Sequence, residues 1–429
     1  MAARRRGGNA GLAEEIDSAL KTGAQNVSLD YQVFDPAACH FPRPRVSVLP
    51  QDFERATRDD HELLREVASL PGKGAYFTRG RYALGEAYRR SGLDSGGTLL
   101  APAYHCVTML DPALALGAEV LLYPLNADLT PDCNGLERLV EHAVRPIKVL
   151  LATHFFGFVR DFSCLKRWCD THGIVLVEDC SHTLYTERYQ AKGAGRAGRF
   201  VASSPYKFFP SADAGWLYVP ELAVAAGNLM QPADWVAELR GVKQCLDAAR
   251  RPRVGPTDIA GLEAQFGEMA REMPVPGEDR QQQRPAQSPQ YEVEAEHRSA
   301  LRGSRWLIAH SCLSNAIRRR QVNYRRWLQV VAELPGCRPL YPELPEHAVP
   351  YMFPLYIEHP MPHFYWLKQL AVPVWRWDEM AVSACPVAAD YRLHLLHLPC
   401  HQSLSDDEMD WMLAAVAKVL SRPVSGSDQ

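Results

Sequence analysis

Between Ala75 and Val219, short apolar runs alternate with amphipathic helical patterns, and this alternation constrains the fold more than any other feature. The runs "GTLLAPAY", "IKVLLATHFFG" and "RFVASSP" are bounded by turn signals and separated by segments with helical spacing, such as "GRYALGEAYRRSG". Short apolar strands separated by helices are typical of βα units, in which a mainly parallel sheet is covered on both faces. Ligands of such sheets bind at the carboxyl ends of the strands, so we expect the chemistry there.

The remaining sequence predicts four regions in a chain of 429 residues, a length that favours more than one domain. A Pro-rich start predicts an N-terminal arm over residues 1–70, followed by a large α/β domain over 71–240. A helical segment with a polar, flexible insert is predicted over 241–300, because residues 271–297 are rich in Pro and Gln. Residues 301–429 are predicted to form a small α+β domain.

The small C-terminal domain carries three local predictions. The runs "YMFPLYIEH" and "LAVPVWRW" are interpreted as its strands. Ser403 or Ser405 is predicted to cap a final amphipathic helix whose first turn is acidic. The basic run Arg318–Arg320 lies in a segment with helical spacing, and we interpret it as a solvated helix face rather than a ligand site.

Composition narrows the class of protein. A net charge of −3 gives no electrostatic footprint for nucleic acid. No run of apolar residues is long enough for a signal peptide or a membrane span, so we expect a cytoplasmic protein without membrane contacts. The eleven cysteines include no CxxC pair, so the sequence predicts no metal site.

Polar residues follow three of the predicted strands. In "TRGRYAL", Gly80 and Arg81 open a helix, where free N–H groups and a close backbone approach favour a phosphate, although Gly80 could equally serve only a turn. In "VLVEDCSH", Asp179 ends an apolar run and His182 follows it; the carboxylate is a candidate partner for a cation or a protonated ring nitrogen, with helix capping as the alternative. In "SSPYKFFPSADAGWLY", Lys207 is an isolated amine in apolar company, a setting that favours a nucleophilic lysine.

Together, a lysine, an aspartate and a phosphate cradle at neighbouring strand ends are what pyridoxal 5'-phosphate requires. The lysine binds the cofactor's aldehyde as a Schiff base, the aspartate keeps the pyridine nitrogen protonated, and the helix N-terminus holds the phosphate. The sequence therefore predicts a site for this cofactor.

These motifs, in this order and spacing, resemble the DegT/DnrJ/EryC1/StrS aminotransferases, a fold-type I family best known for aminating keto sugars on nucleotide carriers. The resemblance covers residues 76–218 well and residues 304–420 more loosely, where "VPVWRWD" and "LPCHQSLSDDEMDWM" match the end of the family. It implies an α/β fold with a mainly parallel sheet in a large domain and a small α+β C-terminal domain. It also implies a homodimer.

Carried over to this chain, the resemblance implies catalytic roles for Lys207, Asp179 and His182. Lys207 would bind the cofactor as a Schiff base, Asp179 would pair with the pyridine nitrogen, and His182 would lie beside the phenolic oxygen. Gly80 and Arg81 would give donors to the phosphate, and Ser204 would be a further phosphate contact.

One departure from the family concerns the cofactor ring. Where the family places a large aromatic residue to stack on the ring, this chain has Cys106 in "PAYHCV". Stacking would then come from His105 or Tyr104, or be weak.

The implied reaction moves an amino group from an amino acid donor, glutamate in the first place, to a keto acceptor. A nucleotide-linked keto sugar is the acceptor that the resemblance implies, and another carbonyl compound stays open. Two alternatives also stay open: another reaction of the same cofactor, such as elimination, decarboxylation or oxidation, and a non-catalytic cofactor-binding regulator on the same scaffold.

Overall fold

The structure is a computed structural model that describes residues 29–35, 54–58, 73–186, 193–219, 230–249, 259–283 and 290–424. Its strands are β1 (Asp30–Asp35), β2 (Lys73–Phe77), β3 (Thr98–Pro102), β4 (Glu119–Tyr123), β5 (Ile147–Thr153), β6 (Val175–Asp179), β7 (Phe200–Ser203), β8 (Gly215–Val219), β9 (Glu278–Gln283), β10 (Cys337–Pro339), β11 (Met352–Ile357), β12 (Met380–Ala381) and β13 (Leu395–Pro399). Its helices are α1 (Gly80–Arg90), α2 (Asp111–Ala115), α3 (Cys133–His142), α4 (Ser163–His172), α5 (Trp235–Ala249), α6 (Ile259–Met269), α7 (Arg302–His310), α8 (Leu313–Val331), α9 (Pro360–Gln369), α10 (Pro386–His394) and α11 (Asp406–Leu420).

A seven-stranded sheet with the order β2-β8-β7-β6-β5-β3-β4 occupies the region of the predicted βα units. Strands β3 to β7 run parallel to one another in this sheet, and β8 runs antiparallel to both β7 and β2. All residues of β3, β7 and β8 are buried, which explains why these strands are apolar runs without alternation. The predicted mainly parallel α/β fold is confirmed.

The polar residues that follow the strands meet at one edge of this sheet. Thr153 pairs with Asp179 in the parallel register, and Asp179 pairs with Ala202, so β5, β6 and β7 end side by side. Because β8 is antiparallel to both of its neighbours, β2 runs in the same direction as β7 and ends at the same edge. Helix α1 follows β2, so its N-terminus lies at this edge as well.

A second sheet, β10-β11-β13, is antiparallel and lies in the C-terminal part of the chain. The run "YMFPLYIEH" contains β11, as predicted. The run "LAVPVWRW" is not a strand, and this prediction is wrong: it has one isolated bridge between Trp375 and His397, and the third strand is β13 instead. Strand β13 offers five buried residues that pair in register with β11.

A third sheet, β12-β1-β9, joins distant parts of the sequence. Strand β1 comes from the predicted arm and β9 from the predicted insert, and the two pair antiparallel over six residues each. The expectation of a loop across 271–297 is therefore corrected for β9. Most of residues 1–70 and residues 284–289 lie outside the described residues, and the four domain boundaries stay a prediction.

The hydrophobic core is shared between the large sheet and the C-terminal part. One cluster of buried side chains contains Leu100 and Leu150 of the large sheet together with Phe353 of β11 and Trp411 of α11. Each large apolar side chain that is fully buried contributes roughly 1.5–3 kcal/mol. Burial therefore fastens the C-terminal part to the face of the large sheet.

The basic run on α8 is not uniformly solvated. Arg318 is exposed, as predicted, but Arg320 is only 1% exposed, so the interpretation of the run as a solvated face is wrong for Arg320. Its guanidinium donates to the carbonyls of Pro350 (3.0 Å), Tyr351 (3.3 Å) and Lys207 (3.1 Å). Burial lowers the pKa of Arg320 to about 10, so the side chain stays charged and its hydrogen bonds are charge-assisted.

Within the described ranges, no helix is both long enough and apolar enough to cross a membrane.

The predicted cap of the last helix is Ser405, which forms a capping box with Glu408. Ser405 Oγ accepts from the Glu408 N–H (3.2 Å), and the Glu408 carboxylate accepts from the Ser405 N–H (2.9 Å). We predict that Ser405→Ala lowers the free energy of unfolding by about 1 kcal/mol, because α11 loses its cap. Chemical denaturation measures the change; Ser405→Thr, which keeps a hydroxyl, is the control, and equal losses in both variants would contradict the role of the cap.

Candidate active site

A cavity of about 380 Å³ opens at the carboxyl edge of the large sheet. It brings together seven of the eight side chains predicted from the sequence: Gly80, Arg81, Cys106, Asp179, His182, Ser204 and Lys207. His105 is not among the residues that line it.

Asp179 is the last residue of β6, and its carboxylate is 1% exposed. Oδ1 accepts a hydrogen bond from the Ser181 N–H at 2.8 Å. Oδ2 is buried and has no hydrogen-bond partner among the described residues. A buried carboxylate oxygen without a donor is costly, so this atom indicates a missing donor or cation at the cavity.

The N-terminus of α1 lies against two serine hydroxyls. Ser204 Oγ donates to Ser181 Oγ at 3.1 Å, and a Cβ placed on Gly80 would lie 2.1 Å from Ser204 Oγ. Glycine is therefore required at position 80 by the close approach of Ser204. The backbone N–H groups at the start of α1 and the two hydroxyls form a concave surface suited to a phosphate.

Lys207 ends a short 3₁₀ turn, Pro205–Lys207, directly after β7. It is partly buried, and its Nζ lies 5.1 Å from the centroid of the Tyr351 ring. The backbone is fixed at both ends of the peptide unit: the Lys207 N–H donates to the Ser204 carbonyl (3.0 Å), and the Lys207 carbonyl accepts from Arg320. The amine is thus presented to the cavity from a rigid turn.

His182 is buried and neutral. Burial, reinforced by the nearby Lys207 and His397, lowers the pKa of His182 well below the ordinary value for histidine. Its Nδ1 accepts from the Phe156 N–H at 3.4 Å, which leaves the proton on Nε2. Its ring stacks on Tyr351 with centroids 4.4 Å apart.

The two arginines beside Gly80 reach different partners. Arg81 donates to the Gln290 carbonyl, and Arg79 Nη1 donates to the Ala212 carbonyl at 2.9 Å and lies over the Tyr206 ring. Both line the cavity, so a positive charge is available beside the helix N-terminus.

Neither residue predicted to replace the family's stacking ring lines the cavity. His105 is fully buried; its Nδ1 faces the carbonyls of Pro102 and Ala103, and its Nε2 accepts from the Ala381 N–H at 3.1 Å. Burial lowers the pKa of His105 to about 4, so the ring is neutral and holds β12 against the large sheet. The hydroxyl of Tyr104, which is also buried, lies 2.8 Å from His397 Nε2.

Most of the aromatic surface of the cavity comes instead from the C-terminal part of the chain, and sequence reasoning missed it. The lining residues from this part include Tyr351, Trp375, Trp377 and His397. The only signal was the motif "VPVWRWD", which resembles the family but carries no chemistry by itself.

Glu178 precedes Asp179 and points to the opposite face of the sheet. Its carboxylate accepts from the N–H groups of Gly195, Ala197 and Gly198, and from His154 Nε2 at 3.2 Å. Burial by itself would raise the pKa of Glu178, but the hydrogen bond from His154 and the backbone donors outweigh it and lower that pKa. Glu178 is therefore a satisfied structural anchor for the segment before β7.

The potential ligand atoms of His154, Glu178 and Cys180 lie within 4.8 Å of one another. His154 Nε2 already binds Glu178, and its Nδ1 accepts from the Arg160 N–H at 3.1 Å. Both ring nitrogens are thus engaged in hydrogen bonds, which argues against a metal at this cluster.

Comparison with known proteins finds a similarity to one family. Residues 72–226 match the DegT/DnrJ/EryC1/StrS aminotransferase family, and over this segment the chain is similar to that family. The predicted resemblance is confirmed.

Two curated relatives match over part of their length. The chain is 30% identical over 194 residues to L-glutamine:2-deoxy-scyllo-inosose aminotransferase of Streptomyces kanamyceticus. This alignment covers 44% of this chain and 40% of the relative. The chain is also 28% identical over 136 residues to GDP-perosamine synthase of Vibrio cholerae. This alignment covers 31% of this chain and 34% of the relative. These alignments thus span well under half of either relative.

The likeness in fold extends over the whole chain. The crystal structure of DesV from S. venezuelae matches with a TM-score of 0.55 at 16% identity, covering 97% of this chain and 95% of that one. At this identity the match shows the fold, which is the fold-type I architecture predicted from the sequence.

The cavity fits pyridoxal 5'-phosphate on its own geometry. The unpartnered Asp179 Oδ2 matches a protonated ring nitrogen, the surface between Gly80 and Ser204 matches a phosphate, and Lys207 supplies an amine. The three features lie in one cavity.

We predict that Gly80→Ala weakens the binding of pyridoxal phosphate at least tenfold, because the new Cβ collides with Ser204 and distorts the phosphate surface. Fluorescence titration of cofactor-free protein measures the affinity. Gly267→Ala in α6 is the matched control, since a Cβ there meets nothing within 4 Å and the free energy of unfolding should stay equal or rise by up to about 1 kcal/mol. Unchanged cofactor affinity in Gly80→Ala would contradict the assignment of the phosphate surface.

Proposed function

We propose that this protein is a pyridoxal phosphate-dependent aminotransferase that moves an amino group from an amino acid donor to a keto acceptor. The observation that carries the proposal is the buried Asp179 oxygen without a partner, in the same cavity as the Lys207 amine and the Gly80 surface. The match of residues 72–226 to an aminotransferase family supports it.

The residues of the cavity would bind and orient pyridoxal phosphate. When bound, pyridoxal phosphate supplies an electron sink for charge that develops at the donor's α-carbon. Asp179 Oδ2 would accept a hydrogen bond from the protonated pyridine nitrogen and so keep that proton on the nitrogen. The N–H groups at the start of α1, with Ser204, hold the phosphate, and Arg81 adds positive charge beside it.

Lys207 is proposed to transfer protons, and His182 is proposed to donate a hydrogen bond. Lys207 Nζ would hold the cofactor through its aldehyde group, and the same amine, when free, is the group in the cavity that would move a proton from the donor's α-carbon. His182, neutral with its proton on Nε2, would donate a hydrogen bond to the phenolic oxygen of the bound cofactor. The same groups act in reverse order on the acceptor.

The substrates are proposed from the relatives. One relative is named for GDP-perosamine and one for L-glutamine and 2-deoxy-scyllo-inosose. We assign a nucleotide-linked keto sugar as the acceptor in the first place, and glutamate as the donor, with glutamine tested beside it. The proposal includes a homodimer, which the family resemblance supports, and a cytoplasmic location, which the sequence predicts from its lack of a long apolar run.

The visible absorbance of the purified protein tests the function. We predict a band from the Schiff base with Lys207 that glutamate or glutamine converts to the shorter-wavelength band of the aminated cofactor. A keto sugar nucleotide should restore the first band. A band that no amino acid alters would contradict transamination.

We predict that Lys207→Ala lacks the Schiff-base band and turns over no substrate, because Lys207 is the only lysine among the described residues that line the cavity. Lys166→Ala is the control, since Lys166 is a surface residue paired with Asp170. A Lys207→Ala protein with an unchanged band would overturn the assignment of the amine.

We predict that Asp179→Asn slows conversion by glutamate roughly a hundredfold or more, because the amide keeps the shape but loses the charge that holds the pyridine proton. Rapid-mixing spectroscopy measures the rate. Asp170→Asn, a surface change, should react like the natural protein, and equal rates in the two variants would count against the role of Asp179.

A further inference from the structure

We propose that Tyr351 is a positioning residue for the Lys207 amine: its ring is the seat on which the ammonium rests before the amine reacts. The inference rests on the proposed function for its catalytic meaning. The geometry of the proposal rests on contacts within the chain. Neither the sequence motifs nor the family resemblance assigned a role to Tyr351.

The contact is a cation over an aromatic ring. Lys207 Nζ lies 5.1 Å from the centroid of the Tyr351 ring, within the range of a cation–π interaction. The ring itself is held by stacking on His182, at 4.4 Å and an interplanar angle of 27°. Because burial and the nearby charge keep His182 neutral, this neighbour does not compete for the ring as a second cation.

One buried guanidinium fixes both partners. Arg320 donates to the Lys207 carbonyl through Nη2 at 3.1 Å and to the Tyr351 carbonyl through Nη1 at 3.3 Å. Its Nε donates to Gln402 Oε1 at 2.6 Å, and its charged group lies over the Phe208 ring. The backbones that carry the amine and the ring are therefore tied to the same side chain, and their spacing is set by it.

The phenol hydroxyl is not part of the seat. Burial is the main cause that raises the pKa of Tyr351, so the hydroxyl stays protonated. A neutral phenol has an intact negative ring face, which attracts an ammonium more strongly than an uncharged amine. The ring of Tyr351 thus holds Lys207 while the amine is protonated and releases it once the amine has lost its proton. This suits an amine that must leave the ring to react and then return to it.

The test follows the reactivity of Lys207 in cofactor-free protein, which needs no turnover. A pulse of N-acetoxysuccinimide acylates free amines, and mass spectrometry of the peptide that contains Lys207 gives the labelling rate at each pH. We expect the pH midpoint of labelling to fall by about one pH unit in Tyr351→Leu, because the ammonium loses its ring, with an equal plateau at high pH. Tyr351→Phe keeps the ring and should keep the midpoint.

One control variant and one second test variant separate the loss of the Tyr351 ring from a change in the shape of the cavity. Tyr206→Leu makes the same substitution at a neighbouring tyrosine that lines the cavity but packs on Arg79, and it should leave the midpoint in place. Tyr351→Met, closer in volume to the natural residue, should reproduce the shift and replaces Tyr351→Leu if that variant fails to fold. Circular dichroism checks folding.

Each outcome decides the proposal. An unchanged midpoint in both non-aromatic variants overturns it, and so does labelling that accelerates equally at every pH, since that is a purely steric effect. A shift in Tyr351→Phe as large as in Tyr351→Leu would assign the effect to the hydroxyl and overturn it as well. If the midpoint shifts as expected but no amino acid converts the cofactor band, the seat stands and the proposed function fails.

Discussion

The carboxylate of Asp179 is the charge around which the cavity is arranged. Side chains alternate across a strand, so Glu178 and Asp179 at the end of β6 point to opposite faces of the sheet. Glu178 has three backbone donors and His154, whereas Asp179 has a single N–H and one oxygen left without a partner in the described chain. Two adjacent buried acids thus divide into a structural anchor and a ligand-binding group, and the difference lies only in how many donors the fold supplies to each.

Much of the sheet and its polar edge could be predicted from the sequence, because both follow from local patterns. Apolar runs of strand length with helices between them predict parallel strands, and parallel strands place their ends together. That is sufficient to bring Gly80, Asp179 and Lys207 to one edge without any knowledge of side-chain contacts. His182 follows automatically, since it lies three residues beyond the end of β6.

The rest depended on contacts between residues far apart in the chain, which no local pattern records. Arg320 belongs to a basic run on a helix surface, and only its packing against the Lys207 and Tyr351 backbones makes it a buried residue. His105 follows a strand end as the other site residues do, but its ring turns away to the Ala381 N–H and holds β12. The polar sequence of β9 gives no sign of a strand, because its pairing depends on β1, more than two hundred residues earlier.

Cys106 shows how the two halves of the chain share one site. The position where the family has a large ring is here a small thiol, and most of the aromatic lining comes from Tyr351, Trp375 and Trp377 of the C-terminal part. The shape of such a cavity depends on the contact between the large sheet and the C-terminal part of the chain. Arg320 strengthens that contact where it matters most, since a single charged side chain bonds the backbone of Lys207 on one side and of Tyr351 on the other. The charge of Arg320 is retained at a pKa of about 10 despite burial, because four acceptors compensate for the lost water.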